Sequence, residues 1–330
     1  RGKTMVDSFG RNINYLRISV TDRCNFRCRY CMPEEGVGNL GHGKILSLED
    51  YARLARVAAQ VGISKIRLTG GEPLVRKSIT RLVECLADID GIDDIAMTTN
   101  GLLFPALAQE LKDAGLKRIN ISLDTLNDER FAYITRRGGL SSVRQAIFKA
   151  MELGMDPVKI NVVAIRGFND DEIGDFARLA YDHPLHIRFI EFMPVGDLLF
   201  WEPQRMMNSD EIRMVLQNDY ELTPQKAIEG NGPARYYKIS GGAGSIGFIS
   251  PMSHQFCSEC NRIRLTADGK LRGCLYEKQE VDLKEALERE ASDEELRELF
   301  WRAIKSKPAR HNMDSGWGQQ NLRKMYQIGG

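Results

Sequence analysis

Cys24-Asn25-Phe26-Arg27-Cys28-Arg29-Tyr30-Cys31 follows an apolar, strand-like run from Tyr15 to Val20, and the rest of the chain is organised around it. Three thiols at spacings of four and three residues can meet one metal centre from a single loop. Cubane iron–sulfur clusters are held by Cys thiolates and ordinarily take four, so a loop that supplies three leaves one iron open to a small-molecule ligand. Zinc fits less well. Structural zinc closes at four ligands, usually from paired Cys-x2-Cys elements, and the nearest histidine, His42, lies eleven residues beyond Cys31. A disulfide fits least, because clustered thiols in a chain with no secretory features favour a metal over a bridge.

Composition narrows the setting. The chain has 330 residues, with 46 Lys plus Arg against 45 Asp plus Glu and a net charge of +1, so it advertises no field for nucleic acid or for a membrane. Any anion site must be local. Seven cysteines (24, 28, 31, 85, 257, 260 and 274) form two clusters and a singleton, an odd number that speaks against a secreted disulfide framework and for a reducing, cytoplasmic compartment. No run of eighteen apolar residues is present, and Arg1 to Asp7 lacks the apolar core of a signal peptide.

Beyond the cysteine loop and the glycine-rich stretch Gly36 to Gly43, Ser47 with Asp50 reads as a capping box that opens a helix to about Val61. Strand-like runs at Lys65–Thr69, Asp94–Thr99, Arg118–Leu123, Val158–Ile165 and His186–Phe192 then alternate with helical patterns near Ser78–Ala87, Pro105–Ala114, Ser142–Leu153 and Asp171–Tyr181. With the first strand this makes six βα units. Such alternation implies a parallel sheet with right-handed crossovers and functional groups at the C-terminal strand ends. Six units fall short of a closed barrel of eight, so the expected fold class is α/β: an incomplete, TIM-like (β/α)6 barrel over residues 1–195, followed by an α+β extension over 196–330.

Strand parity carries further information. Strands of an all-parallel sheet should be apolar on both faces, yet one parity here is polar: Arg17 and Ser19; Lys65, Arg67 and Thr69; Thr98 and Asn100; Asn120, Ser122 and Asp124; Lys159 and Asn161. The other carries Leu16, Ile18, Ile66, Leu68, Ile95, Met97, Ile119, Ile121, Ile160 and Val162. Alternate residues point to opposite faces, so the polar set is expected to line the inside of the arc as a chamber. The alternative is a solvated rim. Gly70-Gly71-Glu72-Pro73 ends the second strand, where α/β enzymes place ligand loops; its glycines let backbone amides approach a ligand and Pro73 fixes the exit.

Past Pro194 the alternation stops. A strand pair is expected at Ala234–Ile239 and Ser245–Ser250, after a short helix at Ser209–Leu216. Cys257-Ser258-Glu259-Cys260 then precedes Cys274, and a hairpin turning at Asp268-Gly269 folds the third thiol back to the first two. A second three-thiol cluster and a zinc site completed by His254 both remain open on spacing. Arg262 and Arg264 share a strand face beside these thiols, a placement suited to clamping an anionic substrate. Cys85 reads as a core residue, Asp282 to Lys307 as two amphipathic helices with a solvated face, and Gly316 to Gly330 as an irregular tail.

The Cys-x3-Cys-x2-Cys loop with Tyr30 before its last cysteine resembles the radical S-adenosylmethionine (SAM) superfamily. Together with Gly70 to Pro73, Thr98-Thr99-Asn100-Gly101, the Cys257 to Arg264 stretch, Cys274 and the terminal Gly329-Gly330, it resembles the GTP 3′,8-cyclase family of molybdenum cofactor biosynthesis, over about Asp7 to Gly330. That resemblance implies a lyase with two [4Fe-4S] clusters, one on Cys24, Cys28 and Cys31 and one on Cys257, Cys260 and Cys274. SAM would be held at the first cluster by Tyr30, Gly70, Gly71, Glu72, Pro73, Ser122 and Met193. GTP would be held by Arg17, Arg67, Thr98, Lys159, Arg262 and Arg264, its base at the second cluster's open iron. The implied reaction begins when a 5′-deoxyadenosyl radical takes the C3′ hydrogen of GTP, and the C3′ radical then attacks C8 to give 3′,8-cyclo-7,8-dihydro-GTP. Arg262, Arg264, Gly329 and Gly330 are implied in catalysis, with Gly329-Gly330 entering the chamber. The implied partners are GTP, an unassigned reductant and cyclic pyranopterin monophosphate synthase, which would take the product; a homodimer stays open. A peptide-modifying radical SAM enzyme is the alternative, as is an electron-transfer protein with two clusters and no substrate.

Overall fold

The computed structural model describes residues 5–36, 42–195, 199–226, 228, 232–311, 313 and 323–329. The N-terminal half alternates as the sequence pattern requires. β1 (Tyr15–Ser19), α1 (Leu48–Gln60), β2 (Lys65–Thr69), α2 (Ile79–Ala87), β3 (Asp94–Thr99) and α3 (Phe104–Asp113) are followed by β4 (Arg118–Ser122), α4 (Asp128–Thr135) and α5 (Leu140–Glu152). β5 (Val158–Ala164), α6 (Ile173–Asp182) and β6 (Leu185–Glu191) complete it. The capping box forms: Ser47 Oγ accepts from the Asp50 amide at 3.0 Å, and the Asp50 carboxylate accepts from the Ser47 amide at 2.9 Å. α1 then buries Tyr51, Leu54, Ala55 and Ala58, an i, i+3, i+4, i+7 stripe. α4 was not foreseen. Its Asp-Glu-Arg start is polar and only Phe131, Ile134 and Thr135 are buried, so apolar periodicity has little to show over eight residues.

The C-terminal part supplies α7 (Ser209–Gln217), β7 (Leu222–Gln225), β8 (Arg235–Ile239), β9 (Ser245–Ile249), β10 (Arg262–Leu265), β11 (Lys270–Arg272) and β12 (Val281–Asp282). α8 (Leu283–Glu288), α9 (Asp293–Lys305) and α10 (Met325–Ile328) follow, so the tail expected to be irregular contains a helical turn. The strands do not build a separate layer. All twelve form one sheet in the order β12-β11-β10-β1-β2-β3-β4-β5-β6-β9-β8-β7, with β10 parallel to β1 and β9 parallel to β6. The extension thus lengthens both edges of the arc. The two end strands, β12 and β7, are not paired with each other, and the sheet stays open.

The parity expectation holds. Leu16, Ile18, Ile66, Leu68, Ile95, Met97, Ile119, Ile121, Ile160 and Val162 are buried in the main core against the helices. On the opposite face Arg67 is 4% exposed, Lys159 2% and Asn120 4%, and no residue of the polar set is exposed, which excludes a solvated rim. Cys85 is half-buried and lies outside the main core, against its reading as a core residue. No helix among the described residues is long and apolar enough to cross a membrane.

Candidate active site

The two thiol sets lie at opposite mouths of the arc. Cys24, Cys28 and Cys31 follow the C-terminal end of β1. Cys260 precedes β10, which runs parallel to β1, and Cys274 follows β11, which runs antiparallel to β10, so both stand at the N-terminal mouth. From Tyr15 to Ser19 the strand covers four rises of about 3.3 Å, or about 13 Å.

All six cysteines are free thiols. In the first loop Cys24 Sγ accepts from the Phe26 amide at 3.4 Å, and the Cys28 carbonyl accepts from the Cys31 and Met32 amides at 2.9 and 3.0 Å, which coils the loop so that its thiols converge. Burial pushes the Cys24 thiol up to about 11 and Cys31 up to about 12; Cys28 also rises, through burial and then its neighbouring thiols. Such thiols ionise only when a cation takes the proton's place. The donor set is soft and purely sulfur, the type that selects iron–sulfur or zinc. Zinc loses its fourth ligand at the second set: His254 is exposed, with Nε2 2.8 Å from the Asp210 carboxylate. Among the described residues no group of three His, Cys, Asp or Glu is disposed to hold a single ion. Thiolates around a cube of four irons stand wider apart than the ligands of one ion, so that result bears on a single-ion site and not on a cluster.

The Gly70 to Pro73 turn is shaped by the entry to the cysteine loop. The Gly71 and Glu72 amides each donate at 2.8 Å, to the Thr21 and Arg23 carbonyls respectively. A Cβ on Gly70 would lie 2.6 Å from the Thr21 carbonyl oxygen, and one on Gly71 would run into that of Arg23. Both glycines are therefore demanded by close approach to the chain itself. The Glu72 carboxylate accepts from Thr99 Oγ1 (2.6 Å), the Asn100 amide (2.7 Å) and the Leu74 amide (3.0 Å); burial still raises it to about 7. Asn100 Nδ2 then donates to Asn25 Oδ1 at 2.7 Å and lies 3.8 Å from Cys24 Sγ. Glu72 and Asn100 thus lock three strand-end loops together around the first thiol set. Tyr30 donates to Asp124 at 2.6 Å, Ser122 is half-buried opposite Asn161, and Met193 packs on the pair Val195 and Ile328.

Between the mouths runs a band of cations. Arg264, Arg17 and Arg67 are neighbours in register on β10, β1 and β2, and Asn120 stands opposite Lys159 on β4 and β5. Thr98 Oγ1 accepts from Arg67 and from Asn120, each at 3.5 Å. Two members escaped the sequence reading: Tyr15, whose hydroxyl accepts from Arg67 Nε, and Arg188, opposite Asn161, 5% exposed and with its Nε lacking a hydrogen-bond partner among the described residues. Both lie on the polar parity, and extending that parity to residue 15 and to the sixth strand would have found them. Burial and then Arg188, Arg118 and Arg67 push Lys159 down to about 6; burial and then Arg262 bring Arg264 down to about 10. At the lower mouth burial raises Cys260, but Arg262 and Lys307 outweigh it and bring the thiol down to about 6.

The tail reaches this band. Arg264 donates to the Gly329 carbonyl, and Ile328 is 1% exposed against Val195. Arg323 anchors the segment through Asp268 (3.0 and 2.9 Å) and Glu280 (2.6 and 2.8 Å). Gly329 has φ +75°, and a Cβ there would run into Thr69 Oγ1. Gly330 and residues 37–41 of the glycine-rich stretch lie outside the described residues.

An open parallel arc with three thiols at its upper mouth defines a radical SAM enzyme, and the superfamily's model matches residues 18–180. The Molybdenum Cofactor Synthesis C model matches residues 185–313. The SAM-bound structure of SuiB from Streptococcus suis shares the fold, at a TM-score of 0.56 and 14% identity over 85% of this chain and 64% of that one. Among curated relatives, the GTP 3′,8-cyclase of Syntrophomonas wolfei is 68% identical over 99% of this chain and 100% of its own length. That of Moorella thermoacetica is 57% identical over the same shares. The chain belongs to the GTP 3′,8-cyclase family.

Proposed function

We infer that the protein converts GTP to 3′,8-cyclo-7,8-dihydro-GTP, an early step of molybdenum cofactor biosynthesis, using SAM and two [4Fe-4S] clusters. The observation that carries this is the inward band of Arg264, Arg17, Arg67, Lys159 and Arg188, the last three of them buried, set between two three-thiol mouths. A triphosphate needs several cations held away from water, and a purine needs a second anchoring centre at the far end. Cys24, Cys28 and Cys31 hold one cluster and Cys257, Cys260 and Cys274 the other. When bound at the upper mouth, cluster and SAM supply a radical able to take hydrogen from an unactivated carbon.

The chain's own residues do the positioning. Arg17, Arg67 and Lys159, with Arg188, neutralise the triphosphate, and Thr98 with Arg67 orients it. Arg262 and Arg264 hold the nucleotide beside the second thiol set. Tyr30, Gly70 to Pro73, Ser122 and Met193 shape the SAM cradle, with Glu72 fixing the adjoining loops. Gly329 brings its backbone carbonyl to Arg264, and the Gly329-Gly330 tail supports catalysis. The same reading requires a low-potential reductant and passes the product to cyclic pyranopterin monophosphate synthase.

Anaerobic incubation with SAM, dithionite and GTP tests the reading. A product isomeric with GTP, formed with 5′-deoxyadenosine, is expected. SAM cleavage without loss of GTP would overturn it in favour of a peptide-modifying enzyme, and absence of 5′-deoxyadenosine would leave an electron-transfer protein.

A further inference from the structure

Lys307 lies two residues beyond Lys305, the last residue of α9, and is 2% exposed, yet it makes no ion pair with a carboxylate among the described residues. Its ammonium has three donors and three acceptors: the Gly273 carbonyl at 2.6 Å, the Arg262 carbonyl at 3.0 Å and Cys260 Sγ at 3.5 Å. Gly273 precedes Cys274 and Arg262 follows Cys260, so one side chain ties together the two strands that carry these thiols. The fit is tight, since a Cβ on Gly273 would lie 3.0 Å from Lys307 Cα. Arg11 completes the brace by donating to the Cys257 carbonyl (2.8 Å) and to the carbonyls of Pro308 (2.7 Å) and Ala309 (3.1 Å), directly after Lys307.

A buried ammonium is costly unless its charge is met. Glu277 feels the charge of Lys307 without pairing with it. Cys260 Sγ is the group in contact, and a cysteine that ligates a cluster does so as the anionic thiolate. Resting on the reading that Cys257, Cys260 and Cys274 hold a cluster, we propose that Lys307 is a positioning residue for that cluster, fixing the spread of its thiolates and raising its reduction potential. Hydrogen bonds to the sulfurs and local net charge are what set the potential of such a cluster. A cation against one thiolate favours the more negative, reduced state.

The test uses the full-length chain with Cys24, Cys28 and Cys31 replaced by Ala, reconstituted anaerobically so that only the lower site can load. Iron and sulfide are counted, and reduction is followed by electron paramagnetic resonance against potential. In this background Lys307→Gln is expected to leave at least tenfold less reduced cluster at fixed potential, about 59 mV for one electron, while Lys307→Arg stays near the parent. A parent that loads no cluster would overturn the reading and the inference with it. A loaded parent whose potential Lys307→Gln leaves in place would overturn the inference alone. Should Lys307→Gln fail to load, a loaded Lys307→Arg at the parent's potential supports the inference. Failure of both variants overturns it, because a charge-retaining side chain would not have served.

Discussion

Gly329→Ala is the sharpest test of the tail's place in the chamber. The residue has φ +75°, a region where a residue with a Cβ costs about 1–2 kcal/mol. Its new methyl would run into Oγ1 of Thr69, a buried β-branched residue whose hydroxyl donates to the Ile18 carbonyl at 3.3 Å. Turning Thr69 off its rotamer costs a further ~0.5–1.5 kcal/mol. The sum is about 1.5–3.5 kcal/mol against the docked tail, or roughly a ten- to 300-fold fall in its docking constant at 1.4 kcal/mol per decade. The carbonyl that Arg264 holds would be withdrawn with it. Brief trypsin treatment reads the change directly, because Arg323 and Lys324 begin the docked segment and Arg323 is held by Asp268 and Glu280. Faster cleavage there, a large loss of product and unchanged iron content are expected. Ile328→Ala, which empties the contact with Val195 and Met193, should act in the same direction without touching Gly329. If Gly329→Ala keeps parental protease resistance and turnover, the tail is not held in the way described.

Replacing Arg67 by Ala removes one charge-assisted contact worth about 1.5–3 kcal/mol, so GTP binding should weaken by about one to two orders of magnitude; equal weakening of guanosine binding would remove Arg67 from the triphosphate site. Triple Ala replacement of Cys257, Cys260 and Cys274 should remove about half of the bound iron and all GTP turnover while SAM still binds, and retention of full iron would refute a cluster there. Burial first, then repulsion from Arg188, Arg118 and Arg67, depresses Lys159 to about 6, while Asp94 favours its charge. A triphosphate raises that value again, so at pH 7.5 binding takes up a proton and affinity falls as pH rises. Calorimetry in buffers of different ionisation heat should show this uptake, and its persistence in Lys159→Met would assign it to another group.

Much of this architecture was legible because its signals are periodic. The strands at Lys65–Thr69 and Asp94–Thr99 match their sequence limits, and the polar parity marks the face on which Arg67, Asn120 and Lys159 are buried. Non-local information was missing. Nothing in the Ser245–Ser250 run says that it pairs in parallel with β6, or that the hairpin after Cys260 pairs with β1, since pairing partners far apart in sequence leave no period. Gly70 and Gly71 were legible as a close approach, but the object approached is the Thr21–Arg23 backbone. Glu72 carries no local sign that its carboxylate will bind Thr99 and Asn100, because that bond exists only once β2 and β3 lie side by side.

The electrostatics of the chamber explain why the tail and the substrate belong to one device. Burial first and neighbouring cations second depress Arg17, Arg264 and Lys159. Lys159 can answer by losing its proton, whereas a guanidinium keeps its charge in proteins. The arginines must therefore find acceptors, and those the protein offers include the Tyr15 hydroxyl and Thr98 Oγ1 to Arg67 and the Gly329 carbonyl to Arg264. A guanidinium has five N–H donors in a planar fork. With one spent on Gly329, Arg264 can hold a tail carbonyl and an anionic substrate oxygen at once. A tail docked on Arg264 fixes the guanidinium's orientation before the substrate arrives, and a bound anion relieves the repulsion that otherwise opposes a closed, cation-lined chamber. On the function proposed above, each ligand of Arg264 favours the other, and the absence of a side chain at Gly329 is what lets both approach the same group.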